Sequence, residues 1–335
     1  MRILATGPSG ATEDLDPLRE AGHEVIIGRP LDAPKRTAYT ESELIAACRG
    51  VHVILASHLE TISGPVLEAA QDLRLVIVPF IGTDKIDIPA ATRAGVLVAN
   101  SPTPENFIAV AEATIGLILM VQKRIKHNEA KLRRGEWAQR DDRGEFLFGK
   151  TVGLVGLGRV GSHVARRLVN WDTRLLGSDP YVSADYARGL GVTLTDLGTL
   201  LAEADVVSLH TALTDETRRL IGEKELRRMK PTAILINTAR GEVMDEEAVA
   251  RAIDERWIAG AAIDAFVREP LEADSPLRRA DPERVILTPH NVAHSEAGRR
   301  ANLALALSQI LAVGRGEVPA HAVNPDAIVR WRRTS

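Results

Sequence analysis

"TVGLVGLGRVG", residues 151–161, decides how this 335-residue chain folds. Five apolar or small residues read as a buried strand. Gly156, Gly158 and Gly161 follow at the spacing G-x-G-x-x-G, ahead of the amphipathic run "SHVARRLVNW" at 162–171. Glycines alone only turn a chain, so the flanks carry the argument. After a strand and before a helix, the first glycine permits a tight turn and the second lets the backbone approach a pyrophosphate. The third lets the helix sit close on its strand. The helix would aim its unbonded N–H groups and positive dipole end at phosphates.

An acidic residue is then expected at the end of the next strand, about 20 residues on. Asp179 in "LLGSDP" lies 18 residues beyond Gly161. Strand, loop, helix and acid together point to a bound dinucleotide; a glycine turn in an unrelated α/β protein is the competing reading. A carboxylate accepts hydrogen bonds from ribose hydroxyls and repels a 2′-phosphate, and no arginine follows directly in "DPYVS". NAD is therefore expected over NADP.

The strand-then-helix rhythm extends in both directions from this loop. Upstream are "RILAT" (2–6), "HEVIIG" (23–28), "VHVILAS" (51–57), "RLVIVPFIG" (74–82) and "VLVAN" (96–100). Downstream are "TRLLGSD" (173–179), "DVVSLH" (205–210), "AILINT" (233–238), "IAGAAID" (258–264) and "RVILTPH" (284–290). Short strands alternating with helices predict an α/β chain with two doubly wound parallel sheets, each covered on both faces. Between the series, residues 101–137 read as one long helix. Thr103 stands at a cap position, Pro104 at the first helical position, and Phe107, Val110, Ala111, Thr114, Ile118, Val121 and Ile125 recur at helical spacing. The stretch "AGRRANLALALSQILAVGRGE" (297–317) reads as a helix returning the chain to the first domain.

Composition narrows the function classes. Lys and Arg number 42 against 45 Asp and Glu, a net charge of -3, so no basic field exists to hold nucleic acid or an anionic membrane. Cys48 is the only cysteine, which excludes an intrachain disulfide and a multi-cysteine metal centre; "ELIAACRG" places it on a buried helix face. The N-terminal run lacks the apolar core of a secretory leader, and the apolar stretch at 110–121 is short for a membrane span. A cytoplasmic location is expected.

Each apolar run of the second series ends in polar residues, where open parallel sheets bind ligands. Hydride transfer to a 2-oxo acid needs a cation for the carboxylate, an acid for the carbonyl oxygen, and a group to hold that acid in the right state. Arg240 in "NTARGEV", His290 in "LTPH" and Glu269 in "FVREPL" offer these chemistries. Taken singly, each also fits a plain structural or surface role.

The ordered series "IGTDKID", "NSPTPENFIAVAEATIGLIL", "GKTVGLVGLGRVG", "SLHTALTDETRRLI" and "MKPTAILINTARGEVMDEEAVARAIDERWIAGAAIDAFVREPL", closed by "RVILTPH", resembles the D-isomer-specific 2-hydroxyacid dehydrogenases. Members include 3-phosphoglycerate dehydrogenases, glyoxylate/hydroxypyruvate reductases and D-lactate dehydrogenases. The resemblance covers most of residues 75–300. It implies a flavodoxin-like substrate domain from residues 1–101 and 293–335, a Rossmann NAD-binding domain from 102–292, and a homodimer. It places Arg240, Glu269 and His290 at the catalytic positions, with Arg240 and His290 also beside the cofactor. Gly156, Gly158, Arg159, Val160, Gly161, Asp179, His210, Thr211, Thr217, Thr238, Ala239 and Asp264 would line NAD. Ile81 and Gly82 match the loop whose backbone amides meet the substrate carboxylate.

Departures bear on the substrate, a small 2-oxo or 2-hydroxy acid. Ser57 and His58 stand where phosphoglycerate-specific members carry an arginine followed by a serine, which disfavours a phosphorylated substrate. His58 is either a substrate neighbour or a polar strand end. Phe80 adds apolar bulk, and "NVAHSE" (291–296) brings His294 where many members are small and apolar. Little sequence follows the returning helix, so the C-terminal regulatory domain of larger phosphoglycerate dehydrogenases is not expected. Formate and phosphite dehydrogenases and NAD-sensing corepressors share the resemblance; formate enzymes usually carry glutamine where Glu269 stands.

Overall fold

The computed structural model describes residues 1–7, 11–29 and 37–334. Two compact units divide it: Met1–Asn106 with Ser295–Ser335, and Phe107–His294. Each is built on one all-parallel sheet.

In the first unit the strands are β1 (Arg2–Ala5), β2 (Glu24–Ile27), β3 (Val53–Leu55), β4 (Leu75–Ile77) and β5 (Leu97–Ala99), in the order β2-β1-β3-β4-β5. This is the flavodoxin-like order. Side chains alternate across the sheet, which explains why almost every strand residue is apolar. Ile3, Ala5, Val53, Leu55, Leu75 and Ile77 face one core, which the helix Glu296–Gly314 covers with Ala306, Leu307, Ile310 and Val313. Leu4, Ile54, Val76 and Val98 face the other, beside Cys48, whose thiol burial pushes up to about 11.

The second unit holds β6 (Thr151–Val155), β7 (Arg174–Ser178), β8 (Val192–Leu194), β9 (Val206–Leu209), β10 (Ile234–Asn237), β11 (Gly260–Ile263) and β12 (Val285–Leu287). Their order, β12-β11-β10-β9-β6-β7-β8, is the Rossmann order with one strand added at the β11 edge. The strand order reverses at β6, so the crevice beyond its carboxyl end lies between β7 and β9. The edge strand β8 has only three residues and was not anticipated from its short pattern.

The expected single helix over 101–137 is two: Pro104–Gln122 and Ile125–Arg133. Arg124 between them takes a left-handed φ of 52°. The break comes from tertiary competition. The Gln122 carbonyl accepts the Glu145 N–H at 2.7 Å, and Gly144 lies so close that a Cβ there would meet Lys123 Cα at 2.6 Å. Thr103 donates its hydroxyl to Asn302 Oδ1 at 2.6 Å. Helix Pro104–Gln122 is long and apolar enough to cross a membrane, yet Ala111, Ile115, Leu117 and Ile118 are core residues of the second unit.

Candidate active site

The glycine loop sits at the carboxyl end of β6. Gly156 has φ 94°, and a Cβ there would meet the His210 carbonyl oxygen at 2.8 Å. A Cβ on Gly161 would fall 2.1 Å from the Gly156 carbonyl oxygen, so the helix Arg159–Leu168 rests directly on the turn. Gly158 differs: among the described residues, no atom beyond its chain neighbours lies within 4 Å of an added Cβ. It N-caps the helix with no side chain bonding the first N–H groups. Those donors, next to open space, suit an anion. Arg159 stacks its guanidinium over the Phe107 ring at 5.2 Å, and Val160 packs on the core.

The other expected cofactor residues follow the carboxyl ends of β7, β9, β10 and β11. Asp179 accepts the Leu157 N–H at 2.8 Å and the Tyr181 N–H at 2.9 Å, so its carboxylate ties the loop to the end of β7. Thr211, past the end of β9, has a buried hydroxyl oxygen with no protein partner, which fits a missing polar ligand. His210 pairs with the Ser208 hydroxyl at 2.9 Å, and burial lowers its imidazole to about 4, keeping it neutral. Thr217 donates to the Ala212 carbonyl at 2.6 Å and accepts the Thr214 N–H at 2.8 Å, folding the loop after β9 onto itself. Thr114 spends its proton on the Val110 carbonyl, so the 2.9 Å contact with Thr238 has Thr238 donating. Ala239 donates its N–H to Asn237 Oδ1, and the Asn237 amide donates to the Arg240 carbonyl; this buried Asn237 turn, missed in the sequence, presents Arg240.

The three catalytic candidates leave the ends of neighbouring strands β10, β11 and β12. His290 Nδ1 lies 2.7 Å from Glu269 Oε1, which also accepts the Phe266 N–H at 3.0 Å. The hydrogen bond and charge of Glu269 raise the His290 pKa; burial and the Arg240 guanidinium oppose this, and the Asp264 charge adds to it. Arg240 therefore shares the electrostatic environment of the pair. Its Nη1 donates to the Ala239 carbonyl at 2.8 Å. A Cβ on the next residue, Gly241, would strike the Phe266 carbonyl carbon at 2.0 Å, so the Arg240 turn abuts the loop that carries Glu269.

His290 adopts a left-handed φ of 52°, costly for a residue with a Cβ. Asp264 holds it there: the buried carboxylate accepts the Thr288 hydroxyl at 2.7 Å and the Asn291 N–H at 3.1 Å, clamping both flanks. Asp264 thus shapes the histidine turn, a role the sequence did not disclose. His294 closes the same segment by donating its N–H to the Asn291 carbonyl. Among the described residues, no group of three His, Cys, Asp or Glu side chains is placed to hold a metal.

In the first unit, the Ile81 carbonyl accepts the Asn100 amide at 2.8 Å, fixing the 81–82 loop, with Ile81 and Gly82 half-buried beside Phe80. Ser57 is buried, with its N–H on the Thr6 hydroxyl and its own hydroxyl on Glu60, while His58 next to it is exposed.

A model of the D-isomer specific 2-hydroxyacid dehydrogenase NAD-binding domain matches residues 115–292. The chain belongs to the D-isomer specific 2-hydroxyacid dehydrogenases. Residues 115–292 of this dehydrogenase lie within the unit that carries the glycine loop. A glyoxylate reductase of Thermofilum pendens is 39% identical over 310 residues, covering 91% of this dehydrogenase and 89% of the relative. A D-3-phosphoglycerate dehydrogenase of Methanocaldococcus jannaschii is 36% identical over 97% of the chain, which spans 59% of that relative's length. Among solved structures, the TT0316 protein of Thermus thermophilus superposes with a TM-score of 0.86 at 33% identity, covering 96% of this chain and all of that one. The dehydrogenase is an NAD-dependent oxidoreductase.

Proposed function

We propose that this dehydrogenase interconverts a small, unphosphorylated 2-oxo acid and its D-2-hydroxy acid, using NAD(H) in preference to NADP(H). The observation that carries the proposal is the 2.7 Å contact of Glu269 with His290, set in the field of Arg240. Glu269 occupies Nδ1, so Nε2 is the imidazole nitrogen left to work on a substrate. In reduction the imidazolium donates its Nε2 proton to the carbonyl oxygen while Arg240 binds the carboxylate. In oxidation neutral His290 takes the hydroxyl proton back. Bound NADH supplies the hydride. The N–H groups at the start of helix Arg159–Leu168 and the Thr211 hydroxyl would hold it, with Asp179 at its ribose.

Formate oxidation yields carbon dioxide with no proton to move, which would leave the Glu269–His290 pair without work. Similarity to the glyoxylate reductase, along nine-tenths of its length, favours an acid of that size. The test is a panel of glyoxylate, hydroxypyruvate, pyruvate, phenylpyruvate, 2-ketogluconate and phosphohydroxypyruvate with NADH, followed at the nicotinamide absorbance. Turnover is expected with a small unphosphorylated acid, and His290→Ala should lower it about 10²-fold or more while leaving NADH binding intact. NADH binding with no 2-oxo acid turned over would refute the proposal in favour of an NADH-sensing binding protein.

A homodimer is proposed through the second unit. Leu132, Trp137, Phe146 and Phe148 are 59–79% exposed within one short stretch of chain, an apolar surface of the kind that marks subunit contacts. Beneath it the segment is pinned, since Asp142 joins Lys131 at 2.6 Å and the buried His127 at 2.7 Å.

A further inference from the structure

Three loops leave the carboxyl ends of the adjacent strands β7, β6 and β9, and two links tie them together. Asp179, after β7, accepts the Leu157 N–H of the glycine loop at 2.8 Å. Two residues on, the Tyr181 hydroxyl donates to Glu216 Oε2 at 2.7 Å, reaching the loop after β9. Tyr181 is 82% exposed, so core packing does not account for its position. The loop that carries Glu216 is built rather than slack, because Thr214 and Thr217 bond each other's backbone and hydroxyl groups. The hydrogen bond to Glu216 raises the Tyr181 pKa, and the negative charges of Glu216 and Asp179 add to it. Arg219, in the same loop, faces Asp245 at 4.0 Å.

We infer that Glu216, held by Tyr181, is a second specificity-determining carboxylate at the adenosine end of the dinucleotide site, acting with Asp179 to disfavour a 2′-phosphate. The inference rests on the reading of this loop cluster as the NAD site and adds to it. Asp179 already accepts two backbone N–H groups, which partly offset its charge. Glu216 comes from a different strand end, and its hydrogen-bond partner among the described residues is the Tyr181 phenol rather than a cation. A phosphate arriving beside Asp179 would meet both.

The experiment is fluorescence titration of the full chain with NADH and with NADPH, which needs no substrate. The wild type is expected to bind NADH more tightly. Glu216→Gln should tighten NADPH about three- to sixfold, the order expected for removing one negative charge near a phosphate dianion in a water-like dielectric. NADH should change less than about twofold, because Gln keeps the acceptor for Tyr181. The gain should shrink as salt rises from low to physiological strength. Tyr181→Phe removes the tether but keeps the charge, so it should move the NADPH-to-NADH ratio less than Glu216→Gln does. Melting temperatures of both exposed-site variants should match the wild type.

An unchanged ratio in Glu216→Gln would overturn the inference. So would a ratio that shifts through lost NADH affinity, a gain insensitive to salt, or a larger shift in Tyr181→Phe. A wild type that binds neither nucleotide would instead sink the cofactor assignment, and this inference with it.

Discussion

Two glycines of one loop should differ in what alanine costs the fold, and the contrast tests the dinucleotide assignment. At Gly161 an added Cβ would sit 2.1 Å from the Gly156 carbonyl oxygen and 3.1 Å from its carbon, both backbone atoms that no rotamer change can move. Ordinary contact needs about 3.5 Å, so the turn and the helix must separate by more than about 1 Å. Overpacking of this kind costs about 1–3 kcal/mol, and the rigid obstacle argues for the upper end. A loss near about 3 kcal/mol lowers the melting temperature by about 6–12 °C in a domain of this size.

At Gly158 the backbone is extended, with φ -70° outside the left-handed region, and among the described residues no atom beyond its chain neighbours lies within 4 Å of an added Cβ. Gly158→Ala should cost less than about 1 kcal/mol, the difference between glycine and alanine at an N-cap. Its methyl group instead occupies the space through which a pyrophosphate reaches the helix N–H groups. The assay is a thermal melt with an NADH titration for both variants. Gly158→Ala should keep its stability and lose at least tenfold in NADH affinity, whereas Gly161→Ala should lose both. Normal NADH binding by a stable Gly158→Ala protein would rule out a pyrophosphate at this glycine, because nothing but the ligand is meant to fill that space.

Other outcomes follow from the same geometry. In Glu269→Gln the cause that raises His290 is removed, so the fall of reduction rate at high pH should move to lower pH in a kcat/KM profile; an unmoved limb would detach Glu269 from the proton transfer. The folded-state value of His290 lies above the ordinary 6.5, so the pair's contribution to stability is complete below that pH and is lost as pH rises through the raised value, which urea melts at several pH values would show. Arg240→Lys should raise KM for the 2-oxo acid about tenfold with NADH affinity unchanged, since an ammonium cannot reproduce the planar fork. Replacing Trp137 and Phe148 by Glu together should convert a dimer to monomer in sedimentation, with the melting temperature of the folded unit nearly kept.

How much of this was legible follows from where each constraint comes from. The glycine spacing is dictated by contacts within 151–161 and against one neighbouring strand end, so it survives in the bare sequence. The strand ends were legible for a similar reason: a strand buried on both faces must be apolar, and the residue that breaks the run marks the edge. The split of the expected long helix was not, because the helical spacing runs unbroken through Ile125. What stops the helix is Glu145 taking the Gln122 carbonyl and Gly144 pressing on Lys123, partners more than twenty residues away.

The candidate site shows the same division more sharply. Arg240, Glu269 and His290 could be named from chemistry and resemblance, yet their geometry depends on residues that looked ordinary. Glu269 and His290 are 21 residues apart in sequence and meet because β11 and β12 are neighbours. His290 stays in its left-handed turn because Asp264 clamps Thr288 and Asn291. Asp264, expected to face the cofactor, holds with one carboxylate oxygen the turn that carries His290. Asp179 likewise ties the glycine loop to the end of β7. A residue type at a strand end can therefore reveal which chemistry a site performs, but the hydrogen bonds that set the site's geometry belong to pairs of strands, and no single stretch of sequence contains both partners.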